Sequence, residues 1–231
     1  LFVIAKAGSM MLEKVKKDYL EAVFDTDGEK AMRVVRDAVA GGVQPEDIVF
    51  NVVVPTLDLM VKAFAENMDA NLVQHYMTAQ IASDVTEEMI PNFKKIPASG
   101  GTIVIGTAYG DFHSLGKMIV SGCLKARMIK IVDLGVNVAA ERFVSEALAA
   151  GAHVIAISAM MVHTAQGEKG CRGVRKLLKE KNLENKIKII VGGAPFRFDS
   201  ELYKTVGADA YADDGVTAGK IIENLIREVL D

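Results

Sequence analysis

Cysteine is scarce in this chain: Cys123 and Cys171 are the only two in 231 residues. They form neither a C-x-x-C pair nor a disulfide framework, so a reducing cytoplasm is the expected location. Long apolar runs are missing too. None approaches the roughly 20 residues that a membrane-spanning helix needs, and no membrane partner is expected. Nor is there an excess of basic charge. With 27 basic and 30 acidic residues the formal charge is −3, which argues against a nucleic-acid partner. The opening Leu1-Phe2-Val3-Ile4-Ala5 lacks the basic lead and the apolar length of a signal peptide. Ala7-Gly8-Ser9-Met10 reads instead as an expression-derived junction before a native start at Met10 or Met11, and residues 1–9 are set aside from the functional argument.

What is present is enough apolar residue, half of the chain, to bury a substantial core. The pattern changes character near Pro97-Ala98-Ser99-Gly100-Gly101, which suggests a helical domain over 10–97 and a second domain over 98–231. In the first, amphipathic periodicity predicts helices over 11–24 and 29–40, ended by Asp25-Thr26-Asp27-Gly28 and by Gly41-Gly42. A third helix starts at Pro45, carries Ile48, Val52, Leu59, Val61 and Phe64 on its apolar face, and is kinked at Pro55. A fourth covers 71–89. Short links between them imply a small four-helix bundle.

The second domain repeats a strand–helix unit. Strands are predicted over 102–107, 129–133, 154–158, 188–191 and 210–211, and helices over 114–124, 139–150, 167–181, 199–206 and 216–230. Near-continuous apolar strands separated by helices imply a parallel sheet covered on both faces. The expected fold is α/β: a helical bundle followed by a doubly wound, five-stranded parallel sheet of Rossmann or flavodoxin type. Such sheets bind ligands beyond the carboxyl ends of their strands.

Polar groups collect at that edge. The first strand runs into Ala108-Tyr109-Gly110-Asp111-Phe112-His113-Ser114-Leu115-Gly116. An imidazole can bind a metal through one ring nitrogen while the other donates to a carboxylate, and Asp111 stands two positions before His113. Gly116 would let a bulky ligand approach. The third strand ends at Ser158-Ala159-Met160 and the fourth at Gly192-Gly193. Taken singly, each has an ordinary reading: His113 as a loop residue, Asp111 and Ser158 as caps, the glycines as a turn. His163 reads as a solvated loop residue, His153 as structural, and Cys123 as core.

In combination, Asp111-x-His113-x-x-Gly116, Ser158-x-Met160 and Gly192-Gly193 resemble the DxHxxG…SxL…GG signature of B12-binding domains. Ile131-Val132-Asp133-Leu134-Gly135-Val136 and Gly207-Ala208-Asp209-Ala210-Tyr211-Ala212 extend the likeness. The helical half resembles the cap domain of corrinoid methyl carriers. The resemblance implies a cobalamin or related corrinoid bound without its own lower base on cobalt. His113 would be the axial ligand and metal-binding residue, supported by Asp111. Gly116 would leave room for the displaced nucleotide tail, Ser158 would hydrogen-bond its base with Gly192 and Gly193 lining the slot, and Ser114, Leu115 and Met160 would also bind the cofactor. Met60, Phe64, Leu72 and Tyr76 are candidates for covering the upper face, although the aromatic-Leu-Pro-Glu stretch common in such caps is replaced by Ala70-Asn71-Leu72-Val73-Gln74-His75.

The implied function is a non-enzymatic methyl carrier. One partner, a substrate-specific methyltransferase, would load it, and a second would pass the methyl group to a folate or a thiol. Other readings are an adenosylcobalamin-dependent mutase subunit, a B12-dependent sensor, and a metal-dependent hydrolase or oxygenase using Asp111, His113 and His163.

Overall fold

Apolar spacing in the first 94 residues is helical, and helices are what form among those that the structure describes. The computed structural model describes residues 2–66, 72–94 and 100–230. Two units divide the chain, Leu1–Pro97 and Ala98–Asp231.

In the first unit, α1 (Phe2–Phe24) buries Val15, Tyr19, Ala22 and Val23, spaced by four, three and one. It begins nine residues before the predicted 11, since only Gly8 in that stretch disfavours a helix. α2 (Gly28–Ala40) is capped by the Asp27 carboxylate, which accepts the Lys30 N–H at 2.8 Å, and it buries Ala31, Val35 and Ala38. The third predicted helix is broken into α3 (Pro45–Asp47), a π-helical turn (Ile48–Val53) and α4 (Val54–Glu66). Pro55 has no N–H for the Asn51 carbonyl, and its ring crowds that carbonyl. The ladder widens just ahead of it, where the Val54 N–H reaches back to the Val49 carbonyl. α5 (Leu72–Met89) buries Ala79, Ile81, Ala82, Val85 and Met89, and a 3-10 turn (Ile90–Asn92) follows. Arg36 of α2 grips Glu88 of α5 through two N–H···O bonds of 2.7 Å.

The second unit is built on β1 (Thr102–Thr107), β2 (Lys130–Asp133), β3 (Val154–Ser158), β4 (Lys188–Gly192) and β5 (Ala210–Ala212). All pairs are parallel, in the order β2-β1-β3-β4-β5. This is the flavodoxin-like order, with its switch point between β1 and β3. Alternate residues face opposite helical layers. Ile103, Ile105, Val154 and Ala156 pack toward α6 (Leu115–Ala126) and α12 (Gly215–Leu230). Val104, Ile155, Ile157 and Ile189 pack with Phe143 of α7 (Ala140–Ala150) and with Val174 and Leu178 of α9 (Cys171–Glu180).

Two predicted helices differ in detail. The helix over 167–181 starts later, as α9, after a turn in which the Gly170 N–H meets the Gly167 carbonyl at 3.1 Å, and a short α8 (Val162–Ala165) stands ahead of it. The helix over 199–206 shortens to α11 (Leu202–Thr205). Ahead of it lies α10 (Ala194–Phe198), which Pro195 can initiate because its missing N–H is not needed in a first turn. Among the described residues, no helix is long and apolar enough to cross a membrane.

Candidate functional site

Strand register places the predicted residues on one edge. Thr107 pairs with Ser158 and Ser158 with Gly192, so the last residues of β1, β3 and β4 form one row at the switch point. The loop leaving β1 crosses this row. It is tied down by the Ala108 N–H on the Ser158 carbonyl at 2.9 Å and by the Asp111 N–H on the Ala108 carbonyl at 2.9 Å.

Asp111 is the centre of the arrangement, 1% exposed. Its Oδ1 accepts the backbone N–H of His113 at 3.0 Å and lies 2.9 Å from His113 Nδ1. Its Oδ2 accepts the Met160 N–H at 2.7 Å and the Thr164 hydroxyl at 2.8 Å. Burial alone would raise this carboxyl's pKa, but the donors outweigh it and hold it down at about 2, so Asp111 is ionised at neutral pH. An anion facing Nδ1 keeps the proton on that nitrogen and turns the lone pair onto Nε2. The ring itself, with 58% of its side chain exposed, looks outward. The result is a fixed nitrogen lone pair presented at the sheet edge.

The loop's other wall comes from the segment after β2. The Thr107 hydroxyl donates to the Asp111 carbonyl at 2.5 Å and accepts the Asn137 N–H at 2.9 Å. Asn137, at φ +54, also accepts the Gly110 N–H on its side-chain oxygen at 2.8 Å. Thr107, Asn137 and Thr164 were not singled out from sequence. Thr164 stands 53 residues from Asp111, and no local pattern marks it.

Ser114 precedes α6; its side chain makes no capping bond, while its carbonyl accepts the Met118 N–H at 3.0 Å. Leu115 is half-buried. A Cβ on Gly116 would meet nothing within 4 Å, so there is open space beside the first turn of α6. Ser158 is half-buried at the end of β3. Met160 enters the site through its backbone N–H, with its side chain exposed. Gly192 lies against the Ala212 carbonyl. Gly193, at φ +114, passes so near Ala159 that a Cβ would fall 2.0 Å from its carbonyl oxygen. Tyr109, Phe112, Val136, Met160, Met161 and Val162 leave an exposed apolar rim along the same edge.

Met60 is buried and Tyr76 half-buried in the helical unit, while Phe64 and Leu72 lie outside the residues whose side chains are described. His153 sits at the far edge, where its Nδ1 accepts the Thr102 N–H at 3.3 Å. Cys123 is buried. The alternative of a three-ligand metal centre on Asp111, His113 and His163 is not supported. Among the described residues, no three His, Cys, Asp or Glu side chains converge on a common point, and both Asp111 oxygens already accept protein donors.

A family profile described as the B12 binding domain matches residues 101–220. The dimethylamine corrinoid protein of Methanosarcina barkeri is 31% identical over 212 residues, covering 90% of this chain and 96% of its own length. Trimethylamine corrinoid protein 1 of Methanosarcina acetivorans is 32% identical over 197 residues, 84% of this chain and 88% of its own. Among solved structures, the methanol:cobalamin methyltransferase complex of Methanosarcina barkeri holds a chain with a like fold. It superposes with a TM-score of 0.70 over 93% of this chain and 80% of that one, at 22% identity. By the profile and by the likeness along most of its length, this chain belongs to the corrinoid proteins of the B12-binding domain family, whose cofactor is cobalamin or a related corrinoid.

Proposed function

We propose that the chain carries a methyl group on a corrinoid cobalt between two methyltransferases, with His113 Nε2 as the lower axial ligand. The carrying observation is the buried, ionised Asp111 holding His113 Nδ1 at 2.9 Å while the ring stays exposed. The residues fit the group. One nitrogen with a fixed lone pair suits a metal whose equatorial positions are already filled by a macrocycle. The open space at Gly116 offers room for a nucleotide tail at the head of α6. Ser158, Gly192 and Gly193, on the same edge, would receive its terminal base.

When bound, the corrinoid supplies a cobalt that accepts and releases a methyl group. The chain's own residues orient it. Asp111 fixes the His113 tautomer, and Thr164 and the Met160 N–H keep the carboxylate from rotating. A proton taken up along Asp111–His113 would weaken the histidine's hold on the metal, and its loss would restore it.

The carrier reading is supported over a mutase subunit by likeness to methylamine corrinoid proteins along helical and sheet units alike. Their names differ in the methylamine, which suits a carrier whose donor is chosen by a separate methyltransferase. Transfer onward to a folate or a thiol belongs to the second partner.

The test is the visible spectrum of desalted protein after incubation with hydroxocobalamin, beside His113→Ala. We expect retained cobalamin in the wild type and a changed spectrum with weaker retention in the variant. Folded wild-type protein that keeps no cobalamin would overturn the reading.

A further inference from the structure

Resting on that reading, we propose that Lys117, through its ion pair with Asp133, is a positioning residue that sets the His113 imidazole for ligation. Lys117 lies in the first turns of α6, four residues after His113, and its side chain is only 4% exposed. A buried ammonium needs a partner. It finds one across the sheet edge in Asp133, the last residue of β2, to which Nζ donates.

Asp133 passes that anchorage on. Its Oδ1 accepts the Gly135 N–H at 2.8 Å, and the Gly135 carbonyl accepts the Thr107 N–H at 3.1 Å. Thr107 then holds the Asp111 carbonyl through its hydroxyl at 2.5 Å, and Asp111 holds His113. The chain of contacts leaves α6, crosses the segment after β2, and returns to the loop that feeds α6. His113 is thus fixed from two sides: covalently by the start of α6 and by hydrogen bonds through Asp111. Lys117 is the side chain that ties those two supports to each other. Without it, α6 and the wall of the loop can shift independently, and the imidazole loses its fixed angle.

The test compares Lys117→Met, Lys117→Arg and Asp133→Asn with wild type, and uses Arg127→Met as the control. Arg127, the residue that ends α6, is another cation with a buried side chain, paired with Glu223 at 3.5 Å. Two readouts are taken. In cofactor-free protein, the imidazole 15N spectrum reports which ring nitrogen of His113 bears the proton. In protein loaded with cobalamin and reduced to the cobalt(II) state, the nitrogen splitting of the electron paramagnetic resonance signal reports imidazole ligation.

Wild type and Arg127→Met should show the Nδ1–H tautomer and full ligation. Lys117→Met and Asp133→Asn should show mixed tautomers and a ligated fraction at least halved, with Lys117→Arg recovering most of it. If Lys117→Met fails to fold, Asp133→Asn, which keeps the side-chain volume, gives the same answer. Folded Lys117→Met or Asp133→Asn with wild-type spectra in both readouts would overturn the inference, as would an equal loss in Arg127→Met. Wild-type protein that binds no cobalamin would instead overturn the functional reading, and the 15N arm would still judge the tie between Lys117 and His113.

Discussion

At the scale of single residues, Asp111 gathers four hydrogen bonds at the sheet edge, and its ionisation has a measurable consequence. Its folded pKa is about 2 against an ordinary 3.8. A carboxyl lowered on folding contributes stability that is fully present above its unfolded value and lost as pH falls through the folded one. The gap corresponds to about 2 kcal/mol. Urea unfolding between pH 5 and pH 2 should therefore show that loss below about pH 4, and Asp111→Asn should lack that component. The same variant should still bind cobalamin but transfer methyl groups at altered rates, because an amide cannot hold the imidazole as an anion does. Unchanged rates in both half-reactions would remove the proposed proton coupling. Two glycines separate stability from binding. At Gly193 any side chain collides with the Ala159 carbonyl at a positive φ, so Gly193→Ala should cost about 3 kcal/mol or more in unfolding free energy. At Gly116 there is nothing to collide with. Gly116→Leu should leave the melting temperature of cofactor-free protein unchanged or slightly raised, since glycine disfavours a helix, while cobalamin retention falls.

At the scale of elements, β1 and α7 fit each other through one substitution pattern. Gly106 interrupts an otherwise β-branched strand because a Cβ there would sit 3.0 Å from the Phe143 ring and from Val138. Phe143 is fully buried and touches the core on that face, so Phe143→Ala should cost about 3–5 kcal/mol, read from chemical denaturation. A loss below about 1 kcal/mol would mean that the face collapses easily around the gap. The strands were legible because both faces of the sheet are covered, which writes each as an apolar run. The short α8, the late start of α9 and the short α10 were not. They depend on where Gly167, Gly170 and Gly193 must turn against neighbouring chain, and a glycine's spelling does not say in which direction. Pro55 illustrates a middle case: its interruption of the third helix was readable, but the π turn that absorbs it is set by the ladder around it. The same division holds at the site. Asp111 and His113 sit two apart on one loop and could be paired by reading. Asn137 and Thr164 reach the loop only through the sheet's strand order, and Lys117 reaches Asp133 in the same way.

At the scale of the molecule, the carboxylate, the imidazole and the row of strand ends are tied together by protein contacts, and a ligand on that edge sets an expectation for stability. A ligand that binds only the folded state then stabilises it by mass action, by roughly 2.7 kcal/mol when its free concentration is 100 times Kd. Differential scanning calorimetry of the whole chain, at rising hydroxocobalamin, should show the unfolding transition of the sheet unit climbing steadily with the logarithm of concentration. Since the chain divides into two units, a single two-state fit is unsafe, and the transition to follow is the one that Phe143→Ala lowers. In His113→Ala the climb should begin at higher cobalamin concentration, because the ligand's affinity is reduced while the apo transition stays nearly where it was. An apo transition lowered as much as the loaded one would instead make His113 a structural residue, and the exposed imidazole would need a different explanation.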